Sequence, residues 1–310
     1  MRVRFVKTKG EWNEVKSGKG FFIQRLIGAL TKFGVEPVLT TEDESDIDFH
    51  VSRFHYESKN CKKRILRLGP VHVDTNKNYA WLNAKKEKAL RHSHGVIYQS
   101  MFSKKMCDKH IGKAKCPATI IFNGADPKDY DVPPAESKHK YNYLASTRTW
   151  INQKRLPDIV NAFLKADIED SMLYVAGDTC GYSISHPRIT FIGNTTGPLL
   201  ASYLRLCNAM IHCVWIDACP NSVVEALVAG CPVIATNQGG THELGVQTLI
   251  EDAPWNFKPM NLNKTPPVNI DALAEAIIKH KDRVPVNSEH LFIDNIAKQY
   301  AEFFNKVLNG

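Results

Sequence analysis

Residues 217–243 read DACPNSVVEALVAGCPVIATNQGGTHE. Asp217 and Glu225 stand eight positions apart, with a Pro220-Asn221-Ser222 turn between them. Ser222–Val228 carries apolar residues suited to a short buried helix, and Gly230-Cys231-Pro232 breaks it. Val233–Ala235 is a short apolar strand, and Gly239-Gly240 follow it. A turn, a helix, a strand and a glycine pair in this order are written as a ligand site at the edge of an α/β sheet is written.

The same alternation runs outward in both directions. Upstream lie strands at Tyr141–Ala145, Leu173–Ala176, Ile189–Ile192 and Ala209–Val214, with helices at Leu156–Leu164 and Pro198–Leu206. Downstream, Ala272–His280 and Phe292–Val307 read as helices. The first half repeats the pattern. Strands are expected at 2–6, Val35–Leu39, Ile47–Val51, Lys63–Leu68, Val96–Tyr98 and Ala118–Phe122. Helices are expected after Ser17-Gly18-Lys19-Gly20, where Phe22, Leu26, Ile27, Leu30 and Phe33 share a face up to Gly34, and at Tyr79–His92 and Met101–His110. Strands alternating with helices imply parallel sheets. A Pro-rich, charged stretch at 126–140 has no apolar period and reads as a linker. The expectation is therefore two Rossmann-like domains, 1–135 and 136–290, with a ligand cleft between them. A helix over 291–310 is expected to pack back on the first.

Composition narrows the class. Apolar content of 43% and charged content of 23% are ordinary for a globular protein. No apolar run reaches the roughly 18 to 20 residues that span a bilayer, and the charged opening is no secretory signal. The eight cysteines include no C-x-x-C pair, which predicts reduced thiols in a cytoplasm-like compartment and no zinc site. The twelve histidines show no H-x-x-x-H spacing, so no metal is expected. The net charge of +8 is uneven: residues 1–140 hold 27 Lys and Arg against 16 Asp and Glu, +11, leaving −3 for residues 141–310. A basic first half draws phosphate-rich partners.

The 217–243 stretch resembles the signature of retaining GT-B glycosyltransferases of family 4 (glycosyl transferases group 1). That signature has an acid, seven residues and a Glu, then a Gly-x-Pro-Val-Ile-Ala strand and Gly-Gly-x-x-Glu. The resemblance is specific over 140–257 and patchier before. It implies a GT-B fold, transfer of a sugar from a nucleotide-sugar with retained configuration, UDP as the nucleotide, and no divalent metal. Glu225 would then accept from the ribose hydroxyls, a task suited to a carboxylate. Asp217 would face the donor sugar, one methylene shorter than the family's usual Glu. Backbone N–H groups from Cys219 through Pro220 and Asn221 to Ser222 would meet the phosphate or sugar.

Arg148 and Lys154, six apart after a strand, resemble the family's cation pair for the diphosphate leaving group, with Arg155 the alternative to Lys154. Gly20 and Lys19 resemble its glycine-rich loop before the first helix. Asp178 and the segment ending in Ile192 and Gly193 resemble its sugar-nucleotide elements. Gly69 stands where some members have an Asp facing the reaction centre, so His72 or Asp74 is the candidate to replace it. The acceptor is expected to be a glycan or lipid-linked glycan. The +11 also suits an anionic membrane surface or DNA, which makes a glycosyltransferase of hydroxymethylated DNA the alternative. A non-catalytic homologue that only binds sugar nucleotide is the other rival, motivated by Gly69 and Asp217.

Overall fold

A computed structural model describes residues 1–6, 18–38, 40, 43–54 and 60–310, with Gly18 and Lys19 described by backbone alone. It divides into two compact units: residues 1–125, 257–260 and 290–310 form the first, and 126–256 with 261–289 the second.

Unit 1 holds β1 (Arg2–Val6), β2 (Glu36–Val38), β3 (Ser45–Val51), β4 (Cys61–Leu68), β5 (Gly95–Tyr98) and β6 (Ala118–Ile120). They form a parallel sheet in the order β2-β1-β3-β4-β5-β6. The chain steps one way from β1 to β2 through α1 (Gly18–Leu30). It steps the other way from β4 to β6 through α2 (Tyr79–Arg91) and α3 (Met101–His110). Right-handed crossovers therefore place α1 on one face of the sheet and α2 and α3 on the other. Helix α8 (Ile293–Asn309) packs beside α1. Its Ile296, Tyr300, Phe304 and Val307 are buried at helical spacing. Tyr300 meets Phe49 edge-on at 5.8 Å, and Phe304 lies 5.7 Å from the same ring. Each such side chain contributes roughly 1.5–3 kcal/mol when fully buried.

Unit 2 holds β7 (Tyr141–Thr149), β8 (Ser171–Asp178), β9 (Ile189–Gly193), β10 (Ala209–His212), β11 (Val233–Thr236) and β12 (Thr248–Ile250). These also form a parallel sheet, ordered β12-β11-β10-β7-β8-β9. Helices α4 (Leu156–Ala166) and α7 (Ile270–Lys279) cover one face. Their Ile159, Val160, Phe163, Leu273 and Ile277 pack on Tyr143, Leu173 and Ile211. Helices α5 (Gly197–Leu206) and α6 (Asn221–Val228) belong to crossovers that step the opposite way, and take the other face. The fold class is the expected α/β one, with two parallel six-stranded sheets and flanking helices.

Several boundaries differ from the sequence reading. Strand β7 runs on to Thr149, so Arg148 is inside a strand rather than after it. Strand β10 stops at His212, because the chain beyond it leaves the sheet to bond Gln153. Strand β12 is not announced by the sequence, being three residues at a sheet edge. Ser17 and Leu39 fall outside the described residues.

Candidate functional site

In unit 2 the strand order reverses between β10 and β7: the chain proceeds from β7 to β8 on one side and returns to β10 on the other. Loops leaving the C-terminal ends of β7 and β10 diverge there, which opens the crevice where doubly wound sheets hold ligands. Lys154 lies in the loop after β7 and Asp217 in the loop after β10.

Gln153 ties those loops together. Its Nε2 donates to the Trp215 carbonyl at 2.6 Å, and the Trp215 N–H donates to the Gln153 carbonyl at 3.1 Å. Lys154 is half-buried. Its ammonium donates to Thr147 Oγ1. Burial lowers its pKa, and the attraction of Asp217 opposes that. Asp217 is part-buried, and burial pushes its carboxyl up. The Cys219 N–H, Lys154 and the Ala218 N–H pull it back. A cation and a carboxylate thus share one poorly hydrated corner of the switch point.

The backbone under Asp217 is tightly built. Ile216 has φ +58, an outlier for a β-branched residue, with a cost of order 1–3 kcal/mol. The Gly240 N–H donates to the Asp217 carbonyl at 2.6 Å. A Cβ on Gly239, which has φ +86, would stand 2.4 Å from the same oxygen. The glycine pair is therefore the floor of the acid-bearing loop. Gly177 does the same beneath the cation pair: it has φ +112, and a Cβ there would lie 1.8 Å from the Thr147 carbonyl oxygen. Pairing between β7 and β8 slips between Ser146 and Thr149, and Arg148 on that irregularity is exposed.

Lys154 and Arg155 differ in their surroundings. Arg155 is left-handed, with φ +58. Its guanidinium makes a two-pronged pair with Asp252, at 2.6 and 3.1 Å, and the two side chains are 2% and 0% exposed. Arg155 is therefore a structural cation, and Lys154 is the one beside Asp217.

Helix α6 begins at Asn221, one residue before the expected Ser222, and no acid lies in its first turn. Glu225 is part-buried in its second turn. One expectation is corrected: Cys219 to Ser222 do not offer four N–H groups. The Cys219 N–H is given to Asp217 Oδ1 at 3.2 Å, and Pro220 has none. Asn221 and Ser222 are the first two residues of α6.

Along the same sheet edge, Asp178 ends β8, is exposed, and accepts from the Cys180 N–H at 2.9 Å. Ile192 and the exposed Gly193 end β9, where Thr195 Oγ1 donates to the Ile192 carbonyl at 2.8 Å. Arg148, Lys154, Asp178, Ile192, Gly193, Asp217, Pro220, Asn221 and Ser222 all belong to the C-terminal ends of these strands or the segments that follow them. Glu225 follows one turn into α6.

Gly20, Lys19 and His72 belong to unit 1. Gly20 is buried in the first turn of α1, so the glycines open the helix itself. The Lys19 side chain lies outside the described residues. His72 is part-buried, and Asn83 clamps its backbone, accepting its N–H at 2.8 Å and donating to its carbonyl at 2.7 Å. Burial first, then Lys86 and Lys77, push the His72 imidazole down to about 4. It is neutral at physiological pH. Gly69 adjoins Gln99, whose Nε2 would be 3.1 Å from a Cβ there, so an Asp in its place presses on that side chain.

Three residues escaped the sequence reading: Thr147, Gln153 and His212. Thr147 and Gln153 carry no signal beyond adjacency. His212 carried one, a polar residue closing the apolar strand AMIH. It is 4% exposed, its Nε2 has no partner among the described residues, and burial with the nearby Lys154 charge holds it down to about 3. No group of three or more His, Cys, Asp or Glu among the described residues is arranged to hold a metal ion. No described helix is long and apolar enough to cross a membrane.

Residues 140–281 match the model of a family described as glycosyl transferases group 1. No curated protein matches the chain by sequence. Among solved structures, the chain is similar to sucrose-phosphate synthase from Thermosynechococcus elongatus, with TM-score 0.66, 12% identity and 99% of each chain covered. It is similar also to Anabaena HepE, solved with UDP-glucose, at TM-score 0.64 and 14% identity over 99% of this chain and 100% of that one. A third is AviGT4, a glycosyltransferase of avilamycin A biosynthesis, at TM-score 0.60 and 14% identity over 100% and 98%. At such identities these structures speak to the fold. Residues 140–281 thus resemble the glycosyl transferases group 1 family, and the chain as a whole has the GT-B fold of these glycosyltransferase structures.

Proposed function

We propose that the protein transfers a sugar from a UDP-sugar to an acceptor hydroxyl with retention of anomeric configuration. The observation that carries this reading is that the half-buried Lys154 and Asp217 occupy the two loops that diverge at the strand-order reversal of unit 2. A fixed cation there meets the charge that grows on the departing diphosphate, and a carboxylate beside it accepts from sugar hydroxyls. HepE has been solved with UDP-glucose and with UDP and glucose, which supports UDP as the nucleotide.

In this scheme the bond from the anomeric carbon to the diphosphate oxygen breaks. The acceptor oxygen bonds that carbon on the same face, and the acceptor proton leaves with UDP. Lys154 and Arg148 stabilise the diphosphate, together with the Asn221 and Ser222 N–H groups at the start of α6. The charge is met by these groups and needs no divalent metal. Glu225 accepts from the ribose hydroxyls. Ile192 and Gly193 line the base, and Asp178 lies at the end of the neighbouring strand. Gly20 and Lys19 approach the donor phosphates. His72, neutral above about pH 4, serves as an uncharged hydrogen-bonding group toward the reacting hydroxyls. The acceptor is a glycan or lipid-linked glycan.

The test is a panel of UDP-, GDP- and ADP-sugars with nucleotide diphosphate release as readout, alone and with hydroxymethylated duplex DNA. Slow release from a UDP-sugar alone, indifferent to DNA, is the expected result. Release that rises only with DNA would move the acceptor to nucleic acid. Release from no donor would overturn the reading.

A further inference from the structure

The basic charge of unit 1 is concentrated. Residues 74–115 hold ten Lys and Arg against three Asp and Glu, +7. All three acids are already paired: Asp74 with Lys77 at 3.6 Å, Glu87 with Arg91, and Asp108 with Lys104 at 2.6 Å. Lys86 is buried and donates to the Pro70 carbonyl at 2.5 Å. What remains is exposed and has no carboxylate partner among the described residues: Lys88 on α2, Lys105 and Lys109 on α3, and Lys113 and Lys115 after it.

Lys88, Lys105 and Lys109 share one side of unit 1, because α2 and α3 cover the same sheet face. Two apolar side chains sit among them in the first turns of the helices. Trp81 is 55% exposed and Met101 43%. The Lys85 ammonium lies 3.3 Å from the centre of the Trp81 ring. On α3, Met101, Lys105 and Lys109 follow each other at four-residue spacing, one stripe along an outer face about 15 Å long.

We propose that this face docks the protein on an anionic lipid surface, with Trp81 and Met101 entering the headgroup region and the unpaired lysines meeting lipid phosphates. An exposed indole beside lysines suits a boundary that is apolar on one side and charged on the other. Lysines held by flexible stems suit a fluid layer of point charges. A duplex backbone would attract the same lysines, but it offers no apolar layer for the exposed Trp81 and Met101 to enter. None of the residues of this face is among those assigned to the donor. The proposal deepens the lipid-linked reading of the acceptor, yet it is testable without any sugar transfer.

The experiment is co-sedimentation of the whole chain with vesicles of phosphatidylcholine alone, and of phosphatidylcholine with about a third phosphatidylglycerol, at low and high salt. Binding to the anionic vesicles alone, weakened by salt, is expected. Each lysine near such a surface is worth roughly fivefold in affinity, so a Lys105→Glu, Lys109→Glu double variant loses at least about tenfold. Trp81→Ala weakens binding while keeping its salt dependence. All variants keep wild-type affinity for UDP, so a failure of docking is distinguishable from a failure of the donor site. Equal sedimentation with both vesicle types, unchanged binding of the double variant, or binding to duplex DNA but to neither vesicle would each overturn the proposal.

Discussion

Gly239→Ala isolates the link between the glycine pair and the carboxylate it supports. An alanine there meets two separate costs. The first is φ +86, which costs an L-residue about 1–2 kcal/mol. The second is the new methyl group, 2.4 Å from the Asp217 carbonyl oxygen and 2.9 Å from its nitrogen. Backbone cannot swing aside as a long side chain does, and such overpacking costs roughly 1–3 kcal/mol. The sum is about 2–5 kcal/mol.

Gly230 supplies the reference. It has φ +71, but a Cβ there meets nothing within 4 Å. Gly230→Ala therefore carries the first cost alone. The assay is thermal unfolding of both variants beside wild type, followed by UDP titration of each. The account predicts that Gly239→Ala melts several degrees below Gly230→Ala, at about 2–4 °C per kcal/mol for a unit of this size. It also predicts that only Gly239→Ala loses UDP-sugar affinity, since only there is the Asp217 loop displaced. Equal melting temperatures with equal affinities would show that Gly239 does not support the Asp217 loop.

Further consequences concern the neighbouring charges. Lys154→Met should lower kcat by about 10²–10³-fold with a smaller change in KM, because its charge acts on the leaving group; steady-state kinetics on a UDP-sugar decides, and an equal loss in both would make it a ground-state binder. Asp252→Ala should cost about 3–5 kcal/mol in denaturant unfolding, since it leaves the buried Arg155 guanidinium without its counter-charge; a loss under 1 kcal/mol would contradict the structural assignment of Arg155. His72 is held near 4 in the folded chain against 6.5 in the open one, so the folded state binds fewer protons between those values. Its contribution to stability is complete above about pH 6.5 and is lost as pH falls toward 4. His72→Gln should flatten the decline in melting temperature over that window, and an unaltered pH profile would count against it.

Much of this architecture is legible in the sequence, for physical reasons. Period-2 and period-3.6 apolar patterns depend on which face is buried, so β1, β3, β4, α4 and α8 announce themselves. β12 does not, because three residues at an edge carry too little pattern. The candidate site was legible as residue types in order, and less so as geometry. Lys154 and Arg155 are adjacent cations of equal claim in one dimension. Only the left-handed turn at Arg155 sends one to Asp252 and leaves the other near Asp217. The helix that carries Glu225 was placed to within one residue, beginning at Asn221 rather than Ser222, because Pro220 caps it. Thr147 is joined to Lys154 by one hydrogen bond and Gln153 to Trp215 by two. Such bonds leave no periodic trace.

The central claim is that a nucleotide-sugar is held at the strand-order reversal of unit 2, with Glu225 on the nucleotide's ribose. The most direct measurement is calorimetric titration of UDP into wild type and Glu225→Ala, with thermal unfolding as a check that the variant is folded. The account predicts saturable binding by wild type and a loss of at least about tenfold in the folded variant, as expected when charge-assisted hydrogen bonds to ligand hydroxyls are removed. UDP affinity unchanged by Glu225→Ala would contradict it.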